Sequence, residues 1–322
     1  MKMLSLRFVA VALFGLSIAG AALAQSYPNR VIRLLVPFPP GGPADILGRI
    51  IAQKMGENFG QPVIVDSRPG ANTIIAANIG AKATPDGYTL LMAIDSTLTM
   101  NPALYSKLPY DPLKDFDPVS LIAIVPTVLA VNSNVPVNNV RELIALAKSK
   151  PGQVMFGSGT LASQLAGELF NSMTGTKMTN VPYKGNSSSI TALLAGEVPV
   201  LFSGFSTVLV HLKTGKVKAL AALGATRLSQ APELPTVAES GVPGYEAQVW
   251  QSIVVPAGTP REIIVKLNAE LTRIMKLPET RERLLAVGIE PTSSTPEELA
   301  AFIRSETAKW SKIIRDIGLK VE

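Results

Sequence analysis

Short apolar runs alternate along this chain with breaks rich in glycine and proline, and the runs fall into two periods. Val31–Val36 is β-branched and leucine-rich and stops at Pro37-Phe38-Pro39-Pro40-Gly41-Gly42, which predicts a strand and a stiff loop. Pro43 then stands where a first helical turn tolerates it, and Ile46/Leu47, Ile50/Ile51 and Met55 recur at helical spacing. Further strands are predicted at Gln61–Val65, Tyr88–Ile94, Val119–Val125, Thr127–Val131, Val154–Phe156, Pro199–Phe202, Ala219–Leu223 and Ser252–Val255, and helices at Ala76–Ala83 and Ala162–Met173.

Three helix starts carry capping chemistry. Asn139 precedes a helix with Glu142 three residues on, and Thr259-Pro260-Arg261-Glu262 and Thr295-Pro296-Glu297-Glu298 each combine an N-cap threonine, a proline at the first helical position and a glutamate at the third. Strands alternating with helices at this spacing predict an α/β architecture with mainly parallel sheets. The sequence holds no internal repeat, low-complexity segment or long linker.

Composition narrows the chemistry. The 322 residues are 47% apolar and 17% charged, enough for a large core and a prior of about two domains. With no cysteine and one histidine, His211, disulfides, thiolate metal sites, thiol nucleophiles and multi-imidazole sites are excluded. No dense Asp/Glu cluster marks a Mg²⁺ or Ca²⁺ site, so no metal or cofactor is expected. Net charge is +6 without a basic run, and aromatic residues are 6% of the chain, so nucleic acid is not an expected partner. Lys2 and Arg7, the apolar run Phe8–Ala19 and Ala22-Leu23-Ala24 before Gln25 form the three parts of a cleaved export signal over residues 1–24.

In open α/β sheets, ligands sit where strands run out into helix N-termini. Two loops fit: Pro37–Asp45, with Gly41 and Gly42 ahead of a helix, and Gly157–Ser163, with Ser158, Gly159 and Thr160. Free N–H groups there suit an anion without a charged side chain. Asp95-Ser96-Thr97 offers polar contacts after a strand, Tyr183 and Lys184 could meet a ligand from the Val181–Ser189 stretch, and Trp250 is either cleft lining or core. Enzyme signatures are missing: no G-x-S-x-G elbow, no P-loop at Gly215-Lys216, no G-x-G-x-x-G after a strand, and His211 has no acidic neighbour in sequence. A secreted hydrolase using Ser158 and His211 is the weakest of the functional readings.

From Tyr27 to Val321 the chain resembles the periplasmic solute-binding proteins of the tripartite tricarboxylate transporter class, the Bug family. The resemblance rests on Tyr27-Pro28-Asn29-Arg30, on Val36-Pro37-Phe38-Pro39-Pro40-Gly41-Gly42 with Asp45 and Arg49, and on Arg68-Pro69-Gly70-Ala71. It continues through Pro85-Asp86-Gly87-Tyr88-Thr89-Leu90, Asn101-Pro102, Val181-Pro182-Tyr183-Lys184-Gly185, Leu234-Pro235-Thr236-Val237 and Pro256-Ala257-Gly258-Thr259-Pro260.

The resemblance implies a two-lobed, type II periplasmic binding protein fold, each lobe a mixed sheet flanked by helices, with the ligand cleft between them. Residues 25–126 with 246–322 would form one lobe and 127–245 the other. It implies a non-enzymatic monomer in the periplasm that binds a small organic acid through Phe38, Gly41, Gly42, Asp45, Asp95, Ser96, Ser158, Gly159, Thr160, Tyr183, Ser203 and Gly204, and that serves integral membrane transporter subunits. A sensor whose closed form signals to a membrane receptor or regulator is the alternative. The chain departs from the family pattern at Asn72-Thr73-Ile74-Ile75, where glycines are common, at Gln164, at Ser203-Gly204-Phe205 and at Pro199.

Overall fold

The computed structural model describes residues 27–320; the export signal read over residues 1–24 lies outside them. Strands β1 (Ile32–Val36), β2 (Val63–Ser67), β3 (Thr89–Ile94) and β4 (Phe116–Val125) begin a first sheet. The chain then builds a second from β5 (Thr127–Asn132), β6 (Met155–Ser158), β7 (Thr179–Pro182), β8 (Val200–Gly204) and β9 (Val217–Ala222), and returns with β10 (Val249–Pro256) and β11 (Glu290–Pro291). The first sheet has the order β11-β4-β10-β3-β1-β2 and the second β7-β6-β8-β5-β9.

Both sheets are mixed, which corrects the mainly parallel expectation: five of the nine strand pairings among the described residues are antiparallel. The cause is the chain's excursion. β10 comes back between β3 and β4 and runs against both, and β5 enters the second sheet against β8 and β9.

Strand alternation splits the core across each sheet. Ile32, Leu34 and Val36 of β1 join one cluster with Leu47, Ile50, Ile51 and Met55, while Leu35 faces another with Leu91 and Trp250. In β5, Leu129 and Val131 face one side and Val128 and Ala130 the other. Trp250 is fully buried core, packed on Phe302 with ring centroids 5.3 Å apart.

The helices are α1 (Pro43–Phe59), α2 (Ile74–Ala81), α3 (Asn101–Leu104), α4 (Val140–Ser149), α5 (Leu161–Thr174), α6 (Asn186–Ala195), α7 (Phe205–Lys213), α8 (Arg261–Lys276), α9 (Pro278–Ala286) and α10 (Pro296–Asp316). Asn139 caps α4 by accepting from Glu142 N at 2.9 Å, and Thr295 forms the full capping box with Glu298 on α10. The box at Thr259 does not form. Its hydroxyl donates to Pro256 O at 2.7 Å, at the end of β10, and Pro260 becomes the N-cap of α8 without a side-chain bond.

Helix α10 belongs to both cores. Leu299 and Ile303 pack with Phe116 and Trp250 on the first sheet, whereas Trp310, Ile313 and Ile314 pack with Leu165, Leu169 and Tyr245 on the second.

Candidate ligand-binding site

The chain crosses between the sheets twice, at Val125–Thr127 and at Ala247–Val249, and the crossings lie side by side. Val249 pairs with Val125, Leu223 N donates to Thr127 O at 3.0 Å, and Ala247 N donates to Leu223 O at 2.8 Å. These residues floor a cavity of about 510 Å³ between the sheets.

One wall comes from loops at the carboxyl ends of parallel strands β1, β2 and β3: Pro37, Phe38 and Pro39, then Pro69, Gly70, Asn72 and Thr73, then Ile94, Asp95 and Ser96. The facing wall is Thr160 to Ser163 and Ala166 at the start of α5, Asn186 at the start of α6, and Ser203 and Gly204 ending β8.

Each wall is held from behind. Gly41 adopts φ +93°, a left-handed conformation that favours glycine. Its N–H donates to Asp45 Oδ2 at 3.0 Å, which also accepts Arg49 Nε at 2.8 Å. Those contacts, the Arg49 hydrogen bond foremost, hold the Asp45 carboxyl below the usual range. Asp45 therefore ties the β1–α1 loop to its helix. On the facing wall Thr160 Oγ1 accepts from Ser163 N at 3.2 Å and Ser163 Oγ accepts from Thr160 N at 3.0 Å, a reciprocal cap that sets the first turn of α5.

The loop after β2 is strained. Ala71, Asn72 and Thr73 have φ of 45°, 48° and 73°, three non-glycine residues in left-handed backbone, and Asn72 and Thr73 stand where the family pattern commonly writes glycines. The turn is held by Asn72 Nδ2 donating to Asn101 Oδ1 at 2.6 Å, by Asn101 Nδ2 donating back to Asn72 O at 3.0 Å, and by a 2.7 Å hydrogen bond between the Thr73 and Thr97 hydroxyls. Tyr110 OH closes the network by donating to Thr97 O at 2.7 Å.

Among the described residues no Lys, Arg or His lines the cavity, and its one charged side chain is Asp95, only 1% exposed. Asp95 Oδ1 accepts from Ser96 N at 2.6 Å. Burial pushes its carboxyl up to about 7; the Ser96 bond opposes this, Glu306 adds to it and Lys309 offsets it. Asp95 Oδ2, Ser96 Oγ, Asn186 Oδ1 and Ser203 Oγ are buried in the walls without hydrogen-bond partners. Their residues belong to the cavity's lining, but the four atoms themselves are shut off from its accessible space, so a small molecule would meet them only after the walls shift.

The sequence matches the tripartite tricarboxylate transporter family receptor (TctC) family over residues 47–319.

The chain belongs to that family.

It is 36% identical to protein BugT of Bordetella pertussis over 320 residues, covering 97% of this chain and 98% of that one. Among solved structures, R. palustris Rpa4515 with adipate is 35% identical with a TM-score of 0.76, spanning 92% of this chain and 100% of the other. MatC from Rhodopseudomonas palustris with bound malate is 30% identical with a TM-score of 0.72, spanning 89% and 100%. The fold is thus the two-lobed binding-protein fold that the resemblance implied, and the receptor family is not one of enzymes.

Of the residues expected at this receptor's site, Phe38, Asp95, Ser96, Thr160, Ser203 and Gly204 line the cavity. Gly41, Gly42, Asp45, Ser158, Gly159 and Tyr183 are not in its lining. Ser158 donates to Asn180 Oδ1 at 2.8 Å, and a Cβ on Gly159 would come within 2.6 Å of Asn186 N, so both serve the packing behind the wall. Tyr183 packs toward Gly157, and Lys184 is exposed. Sequence reasoning missed the floor residues Val125, Thr127, Leu223, Ala247 and Val249, and also Asn186 and the Pro69–Thr73 wall.

Proposed function

We propose that this protein is an extracytoplasmic solute receptor that captures a small organic carboxylate between two lobes and delivers it to the integral membrane subunits of a tripartite transporter. The lobes are residues 25–126 with 246–322 and residues 127–245, joined by the paired crossings under the cavity. The observation that carries this reading is the cavity itself, with four orphaned buried polar atoms divided between its two walls. A solute that touches both walls does so only when they are together, so binding favours the closed form. The carboxylate is received by the first turn of α5, where helical N–H groups favour negative charge.

Two relatives carry dicarboxylates, adipate and malate, which supports the acid class. The mature chain works in the periplasm as a monomer, after cleavage before Gln25. Among the described residues no helix is long and apolar enough to cross a membrane.

The test is a thermal-shift screen of refolded protein against about a hundred organic and amino acids. Saturation at 100 times Kd adds about 2.7 kcal/mol, a rise of about 4 °C for a chain of this size. A concentration-dependent rise with a related set of acids supports the receptor; none across the panel removes it.

A further inference from the structure

The charge of the chain is unevenly placed. Outside the export signal, residues 25–126 with 246–322 hold nineteen Lys and Arg against nineteen Asp and Glu, whereas residues 127–245 hold nine against five. The whole positive excess therefore falls in the part of the chain that builds the second sheet.

Topology gathers that excess at one end of the sheet. Strands β6, β7, β8 and β9 start together beside the end of β5: Met155 pairs with Thr179, Phe156 and Val131 with Val200, and Asn132 with Val217. Lys177 precedes β7, Lys213 ends α7 and Lys216 stands directly before β9, while Lys148 and Lys150 lead from the last turn of α4 toward β6. Backbone hydrogen bonds fix these segments to the edge, with Gly152 N donating to Lys177 O at 2.7 Å and Ser133 N to Lys216 O at 3.2 Å. The cavity lies at the opposite end of the same strands, where β8 finishes at Ser203 and Gly204.

All five lysines are exposed, and among the described residues none has an ion-pair partner. Two acids stand near them. Glu142 is taken up in the cap of α4, where it accepts from Asn138 N and Asn139 Nδ2, and Glu197 lies ahead of β8 between the two lysine groups. Exposed apolar side chains accompany both groups: Met155 starts β6, Met173 is near the end of α5, and Val210 is one turn before Lys213 on the same helix face. The groups flank a five-stranded sheet, about 15–20 Å apart at the usual strand spacing. Separate clusters of compact ammonium charges, with no arginine fork among them, suit a broad field of phosphates better than a single acidic segment of another protein.

We infer that this end of the protein is an interaction surface for anionic phospholipid, held by the five lysines with Met155, Met173 and Val210 resting among the headgroups. Bound this way, the protein stays on the membrane surface with its cavity a strand's length away from the lipid. The inference goes beyond the receptor reading and does not depend on which solute the cavity takes.

The experiment is co-sedimentation of the untagged mature chain with vesicles of phosphatidylcholine alone or with about one-third phosphatidylglycerol, at about 20 mM and about 300 mM salt. At low salt the anionic vesicles should bind at least about tenfold more tightly than the neutral ones, and high salt should remove most of that gain. Lys150→Glu with Lys177→Glu, and Lys213→Glu with Lys216→Glu, should each cut anionic binding at least about tenfold. Lys82→Glu with Lys276→Glu, at exposed lysines outside residues 127–245, makes the same change in net charge and should leave binding within about twofold. No preference for anionic vesicles at low salt overturns the inference and leaves the lysines to an acidic protein or to solvent. Equal losses from all three double variants also overturn it, because binding would then follow net charge and not this surface. The wild-type comparison needs no variant to fold, and it is separate from the solute screen, so either reading can fail while the other stands.

Discussion

The hydroxyl of Ser158 donates to Asn180 Oδ1 across 2.8 Å, so the serine of the glycine-rich turn joins β6 to its edge neighbour β7. The residue is 2% exposed and is not in the cavity lining. Ser158→Ala strips a part-buried acceptor of this donor, at a cost of about 1–2 kcal/mol. The melting temperature should fall by about 2–3 °C, and solute affinity should stay within about twofold. Calorimetric melting and titration on the same variant check both; a tenfold affinity loss at unchanged melting would put the hydroxyl back in the site.

Gly159 is where the same turn meets the start of α6. A Cβ there would sit 2.6 Å from Asn186 N, Asn186 Oδ1 and Gly185 C, and two of those atoms are backbone. Gly159→Ala should therefore push α6 away, lowering stability by about 1–3 kcal/mol. It should also weaken solute binding, because Asn186 lines the cavity. Wild-type affinity with a normal melting curve would show that the gap can open without consequence.

The left-handed turn at Ala71–Thr73 stores strain that glycine would remove. An alanine held at φ 45° carries about 1–2 kcal/mol, and a glycine gives back about 0.4–1 kcal/mol through the unfolded chain. Ala71→Gly should stabilise by about 0.5–1 kcal/mol, and Ala71→Val should destabilise. Chemical denaturation of the pair measures the signs, and a loss for the glycine variant would mean the turn is not strained at this position.

Asp95 should make stability fall as pH rises. Its folded-state carboxyl is pushed up to about 7, chiefly by burial, against about 4 in an unfolded chain. The folded state holds this proton more tightly, so the contribution is full below about pH 4 and is lost as pH climbs through about 7. Asp95→Asn stays neutral and keeps an acceptor for Ser96 N. It should exceed wild-type stability at pH 8 by something on the order of 2–4 kcal/mol, with the gap closing toward pH 4. Melting curves across that range decide it; a gap that ignores pH would show Asp95 is not the titrating group.

What could be read from the sequence were features whose cause is local. The cap at Thr295 forms because nothing competes for it, and the stripe from Leu47 to Met55 packs as its spacing requires. The same motif at Thr259 does not cap because the helix begins one residue later, at Arg261 with Pro260 as its N-cap, and the Thr259 hydroxyl donates back to Pro256 O instead. Helix α6 went unseen because Asn186-Ser187-Ser188-Ser189 after a glycine reads as a loop, and its helical state depends on packing Ile190 and Leu193. The site was half legible. Polar residues at strand ends, such as Asp95 and Ser203, stand out, whereas Val125, Leu223 and Val249 are apolar residues that look like core until the two crossings lie together.

Helix α10 gives the carboxyl end of the chain a mechanical meaning. One half is rooted beside Trp250 and the other beside Tyr245, so the helix works as a splint laid across the joint that the cavity sits in. In the receptor proposed above, parting the walls would have to bend this splint or unseat one of its halves, Leu299 and Ile303 from the first core or Trp310 from the second. The helix's two halves are thus seated in different cores, and its last turns, at Ile313 and Ile314, lie on the second sheet's side of the joint.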